Sequence, residues 1–148
     1  MQFEQANRLF HRLYQCSNLL HKNGTRSLEA YGVTTQQWAV IGALARPMVR
    51  EKGGIPVKEL IDYLMLSRQN LAPVLERLET RGWIGRFRSQ RDGRSRLLHL
   101  TGAGEAVWQE MQAPIAAFYA RALADLGTAD AGELNRLLDA LRSGLARA

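Results

Sequence analysis

The residues best suited to chemistry lie between positions 67 and 101. Ser67-Arg68-Gln69-Asn70 puts a hydroxyl, a guanidinium and two amides in four consecutive positions. An arginine fork matches the O6 and N7 of guanine, and a glutamine or asparagine amide matches the N6 and N7 of adenine. A serine that opens a helix also leaves backbone N–H groups and the positive end of the helix dipole facing outward, an arrangement suited to phosphate. Arg77 lies further along the same segment as another candidate contact. Beyond it, Arg86, Arg88, Arg91, Arg94 and Arg96 crowd into a short stretch. Like charges at that density repel one another unless an anion sits among them, and the phosphates flanking a groove supply one. Asp92 stands two residues before Arg94 and can pair with it, holding the guanidinium out from a turn.

Other chemistries find less support. His11, His21 and His99 are too few and too scattered for a metal site, and Cys16 is the only cysteine, which excludes an internal disulfide. Gly102-Ala103-Gly104 hints at a nucleotide loop, but Val107 occupies the place of its third glycine. No nucleophile, base and acid can be argued to converge. The expectation is a protein with no catalytic activity, cofactor or metal.

The elements that position these residues follow from apolar spacing. Phe3, Ala6, Leu13 and Leu20 recur at helical intervals, predicting a helix over 3–31, with Gly24 a candidate kink and Gly32 its end. Thr34 and Gln37 form a capping box for a second helix that carries Trp38, Ile41, Leu44 and Ala45 and stops before Pro47. Residues 46–54 read as a loop, Ile55 as a short strand and 57–64 as a short amphipathic helix. After a turn at Met65-Leu66, Ser67 caps a helix running to about Arg81, with Leu71, Val74, Leu75 and Leu78 as its buried stripe. Gly82 stops it. The period then changes: 83–88 and 95–100 read as strands joined through Asp92-Gly93, a hairpin signal. Thr101 caps a long helix carrying Val107, Met111, Ile115 and Phe118, which Pro114 should bend. A last helix over about 130–146 has Leu134, Leu137, Leu138, Leu141 and Leu145 as its seam. The fold class is therefore mainly α with a small β-hairpin wing: a winged helix-turn-helix with a helical dimerisation region.

The bulk properties agree. A length of 148 residues suits one domain with a real core, and the net charge is +6. Residues 67–101 hold eight arginines against three acids, so most of the surplus is concentrated there. Charge alone fits a polyanion site and a solvated basic face equally well. The start lacks a basic n-region and apolar h-region, and no apolar run is long enough to span a bilayer. The expected location is the cytoplasm, away from membranes. Apolar surface on 3–20 and 134–145 exceeds what one small domain readily covers, which favours a two-fold dimer.

The ordered pieces Ser67-Arg68-Gln69, Leu75-Glu76-Arg77-Leu78-Glu79, Gly82-Trp83-Ile84, Arg86, Asp92-Gly93-Arg94, Leu100-Thr101 and Gly104 closely resemble the MarR family of multiple antibiotic resistance regulators. Thr34-Thr35-Gln36-Gln37-Trp38 and Val57-Lys58-Glu59-Leu60 extend the resemblance, which covers about 33–112. It implies one MarR-type domain over 1–148, with a winged helix-turn-helix over 33–101. Helical dimerisation parts would span 1–32 and 102–148, and the homodimer would meet a pseudo-palindromic operator in double-stranded DNA. It implies that Arg94 enters the minor groove and that Asp92 steadies it. It also implies a small aromatic or anionic effector between the dimer helices and the winged part, for which His11, Tyr14, Asn18, His21 and Trp38 are candidate lining residues. The expected outcome is a repressor released by that effector.

Two positions depart from the family pattern. Pro73 stands inside the reading helix, so that helix should bend or begin near Asn70, and Pro56 replaces a capping threonine. One branch of the family senses peroxide through a cysteine, but Cys16 comes later in the first helix and reads as packing. A winged-helix module that binds protein is the competing class, and it leaves the loaded wing unexplained.

Overall fold

The computed structural model describes residues 1–88, 93 and 96–148. It divides into two compact units, Met1–Pro114 and Ile115–Ala148.

The first unit opens with α1 (Phe3–Ser27), followed by a 3-10 turn over Glu29–Tyr31. Gly24 does not interrupt α1. A Cβ there would stand 2.7 Å from the Thr35 methyl and 3.4 Å from Trp38, so glycine lets the next helix approach closely. Gly32, at φ 63, ends the turn in the left-handed region. α2 (Thr35–Leu44) starts at the expected capping box: the Gln37 amide donates to Thr34 Oγ1 and the Thr34 amide donates to Gln37 Oε1, both at 3.2 Å.

The 46–54 stretch is more ordered than its sequence suggests. Pro47 begins a short helix, α3 (Pro47–Glu51), and does not merely end the one before. Proline suits the first helical position because its missing N–H would have no partner there, and Val49 anchors the turn in the core.

β1 (Ile55–Pro56), β2 (Ile84–Arg88) and β3 (Arg96–Leu100) form an antiparallel sheet in the order β1-β3-β2. α4 (Val57–Leu64) and α5 (Arg68–Thr80) lie between β1 and β2 in the chain. Pro56 is the N-cap residue of α4 and gives it no side-chain cap, while also pairing with Leu97 across β1 and β3. α5 begins at Arg68 and passes through Pro73, so proline neither delays its start nor breaks it. The core gathers Val40, Ile41 and Leu44 of α2, Leu60 of α4, Leu71, Leu75 and Leu78 of α5, and Leu98 of β3. α6 (Gly102–Ala122) is opened by Thr101, whose Oγ1 accepts from the Gly104 amide at 3.1 Å. A Cβ on Gly104 would fall 2.0 Å from the Trp83 carbonyl oxygen. Backbone packing thus accounts for Gly104, whereas a Cβ on Gly102 would meet nothing within 4 Å. Val107 and Met111 are buried, and α6 continues unbroken through Pro114.

The second unit holds the end of α6 and α7 (Thr128–Arg147). None of the residues of α7 is buried, and Leu134, Leu137, Leu138 and Leu145 are all more than 40% exposed. Among the described residues, no helix is long and apolar enough to cross a membrane, and no group of three or more His, Cys, Asp or Glu could hold a metal ion.

Candidate nucleic-acid interface

α4 and α5 are joined by the two-residue turn Met65-Leu66, in which Met65 takes a left-handed conformation at φ 56. Ser67 then caps α5, accepting from the Asn70 amide at 3.1 Å. The first two amides of the helix, those of Arg68 and Gln69, have no intrahelical acceptor and point out of its N-terminus. With Leu71, Val74, Leu75 and Leu78 buried, the helix is fixed about its axis. Ser67, Arg68, Gln69, Asn70 and Arg77 are all exposed. Two α-helices joined by a tight turn, the second showing polar side chains at its start, form the geometry that sets a reading helix in a major groove.

The wing is held against this helix. Arg86 on β2 donates to Glu79 of α5 through Nε and Nη2, at 2.9 and 2.7 Å. Arg86 is therefore a strut between wing and reading helix, which corrects its place in the sequence reading among the repelling arginines. The carboxylate of Glu79 offsets its charge locally.

Arg88 and Arg96 form a different kind of pair. They face each other across β2 and β3 in register, both exposed. Like charges directly opposite on an antiparallel pair destabilise it, and an anion between them would relieve the repulsion. In the sequence Arg96 stands out only as one of the clustered arginines, not as an individual contact. Counting outward from a two-residue Asp92-Gly93 turn sets Arg88 opposite Leu97, so the hairpin signal alone did not reveal the pairing with Arg96. Arg91, Asp92 and Arg94, expected to form the tip, lie outside the described residues.

A further clamp fixes the other end of α5. The Arg81 guanidinium donates to the Gly32 carbonyl at 3.0 Å and to the Tyr31 carbonyl, and stacks over Trp83 at 3.6 Å. Burial lowers its pKa from the ordinary arginine value. Tyr31 also donates through its hydroxyl to the Glu110 carbonyl of α6 at 3.2 Å. The end of the reading helix is thereby tied to the segment that follows α1.

The five residues expected to line an effector site are distributed as follows. His11, Tyr14, Asn18 and His21 recur at spacings that share one face of α1, and all four are exposed. His21 Nδ1 lies 2.5 Å from Thr35 Oγ1, which engages its ring with the start of α2. Trp38 is half-buried on α2, beside Gly24. Two open clefts of the first unit lie elsewhere. One, of about 290 Å³, is bounded by Leu44, Arg50, Gly54 and Glu105, and the other, of about 210 Å³, by Arg46, Met48, Lys52 and Tyr63. Arg50 and Glu105 form a bidentate pair on the wall of the first, at 3.0 and 2.6 Å, and in the second the Arg46 guanidinium stacks on Tyr63 at 3.5 Å. Neither includes any of the five.

Comparison with known proteins agrees with this architecture. The family model described as "MarR family" matches residues 31–95. A relative named transcriptional activatory protein BadR, from Rhodopseudomonas palustris, is 51% identical over 128 residues, covering 86% of this chain and 72% of its own. Among solved structures, AbfR of Staphylococcus epidermidis is 27% identical with a TM-score of 0.74, covering 99% of this chain and 94% of its own. Overoxidized AbfR has also been solved bound to DNA. The MepR–DNA complex of S. aureus shares the fold at 17% identity and a TM-score of 0.79, covering 93% of this chain and 97% of that one.

Proposed function

Because the chain belongs to the MarR family of transcription regulators, we propose that it binds a pseudo-palindromic operator in double-stranded DNA as a homodimer and releases or changes its grip when a small molecule binds. The observation that carries the reading is the meeting of two exposed features on elements packed together. The Ser67–Asn70 end of α5 is one, and the Arg88/Arg96 pair on the wing that Arg86 braces against α5 is the other. A base-reading helix beside a doubled cation fits a major groove and its flanking phosphates. Exposed apolar rows on α1 and, in the second unit, on α7 support a second copy as the homodimer partner.

A mobility-shift titration against fragments selected from the source genome tests this reading. Arg68→Ala should cost about 1–3 kcal/mol at one base position, and Arg96→Ala should lower the salt slope by about one. Equal affinity for random and selected duplexes would overturn it.

The effector belongs on the face of α1 that carries His11, Tyr14, Asn18 and His21, with Trp38 alongside on α2. Aromatic stacking and polar groups there suit a small aromatic or anionic compound. Quenching of tryptophan fluorescence by such compounds, and its loss in His21→Ala, checks this assignment.

Steric exclusion of polymerase makes repression the default result of operator binding. A second reading, activation, is favoured by one observation: the relative that is half identical carries the name of an activatory protein. A reporter fused to the bound promoter separates the two, since deleting the regulator raises output under repression and lowers it under activation.

A further inference from the structure

We infer that Pro73 is a specificity-determining residue that reads the 5-methyl group of a thymine in the major groove. The inference rests on the proposal that α5 enters that groove, and it assigns one base contact within it.

The face of α5 opposite its buried stripe is set by Gln69, Pro73 and Glu76, spaced one turn apart and all exposed. Pro73 therefore adds nothing to the core. In a helix interior a proline removes one backbone donor and crowds the preceding turn, at a cost of about 3 kcal/mol. α5 nevertheless runs through it from Arg68 to Thr80. A local rule broken where no packing compensates is the signature of a residue kept for a contact.

The kind of contact follows from the side chain. The pyrrolidine ring and the exposed methyl of Ala72 beside it make an apolar step on an otherwise polar face. Base edges in the major groove offer hydrogen-bonding groups and a single apolar one, the thymine methyl. Gln69, one turn earlier, has the amide that pairs with adenine. The two side chains are about 6 Å apart along the helix, less than two base-pair steps, so both can address one half-site. Glu76, one turn later, bounds the step with a carboxylate that phosphates repel. Thr80 beyond it is engaged in its own helix, donating to the Glu76 carbonyl at 2.9 Å.

The test uses a duplex obtained by repeated selection from a random library with the full-length protein. Each thymine of the half-site is replaced in turn by deoxyuridine, symmetrically in both halves, which deletes only the methyl. Wild type should lose about fourfold in affinity per half-site at one thymine, the worth of one buried methyl, and much less at the others. Pro73→Ser, shown by thermal melting to be folded, should bind the thymine and deoxyuridine duplexes equally well. If no deoxyuridine position weakens wild type, or if Pro73→Ser keeps the same methyl dependence, the inference is overturned while operator binding stands. Failure of the selection to enrich any sequence would instead bring down the reading on which it rests.

Discussion

α5 and α7 carry similar leucine-rich stripes and meet opposite fates. In α5, Leu71, Leu75 and Leu78 are at most 2% exposed, covered by the chain's own helices and sheet. In α7, Leu134, Leu137, Leu138 and Leu145 stand 41–49% exposed. Amphipathic spacing says that a helix will be covered, but not by what. Where the cover is internal, it fixes the rotation of the helix and so decides which polar residues face outward. Where the chain's own elements leave it uncovered, as on α7, the stripe is the surface through which we propose that a second copy binds.

The largest effect should come from charging the uncovered stripe. Leu137→Arg together with Leu138→Arg should yield a monomer in sedimentation equilibrium. Operator affinity should fall by about 10²–10⁴-fold, because two linked half-site contacts become one. An unchanged dimer would break the comparison. Truncation in the covered stripe acts differently. Leu78→Ala should lower unfolding free energy by about 2–5 kcal/mol in denaturant titration, with only small dependence on protein concentration.

The wing sharpens the contrast on a smaller scale. Arg88→Ala with Arg96→Ala should weaken operator binding by about 1–3 kcal/mol per lost contact, most visibly at low salt. The same change should leave the fold as stable or slightly more so, since a like-charge pair is relieved. The smallest effect belongs to Glu79→Gln. The Arg86–Glu79 pair is partly exposed, so its loss should cost about 0–1 kcal/mol of stability by thermal melting. A loss from Glu79→Gln larger than that from Leu78→Ala would mean that the strut, not the apolar stripe, holds α5 in place.

Much of the winged helix-turn-helix was legible because its signals are local. The Thr34–Gln37 capping box, the Ser67 cap and the 57–64 helix depend on residues three or four apart, and all appear where the spacing put them. α3 was missed because Pro47 carries two meanings. It ends a helix behind it and begins one ahead, and local sequence does not choose between them. A start of α5 near Asn70 was an open alternative because proline's cost is local, yet the helix begins at Arg68.

The arginines of the wing show the same boundary within a few residues. Arg86, Arg88 and Arg96 are alike in the sequence, yet one is bound to Glu79 and the other two oppose each other across the strands. Composition determined that this region would be strongly basic, and periodicity determined its helices, caps and strands, since both arise from neighbours along the chain. Tertiary structure alone decided which cation is a strut and which two face each other across the strands. Those roles depend on strand register and on the approach of α5, contacts between residues distant in sequence that no local pattern encodes.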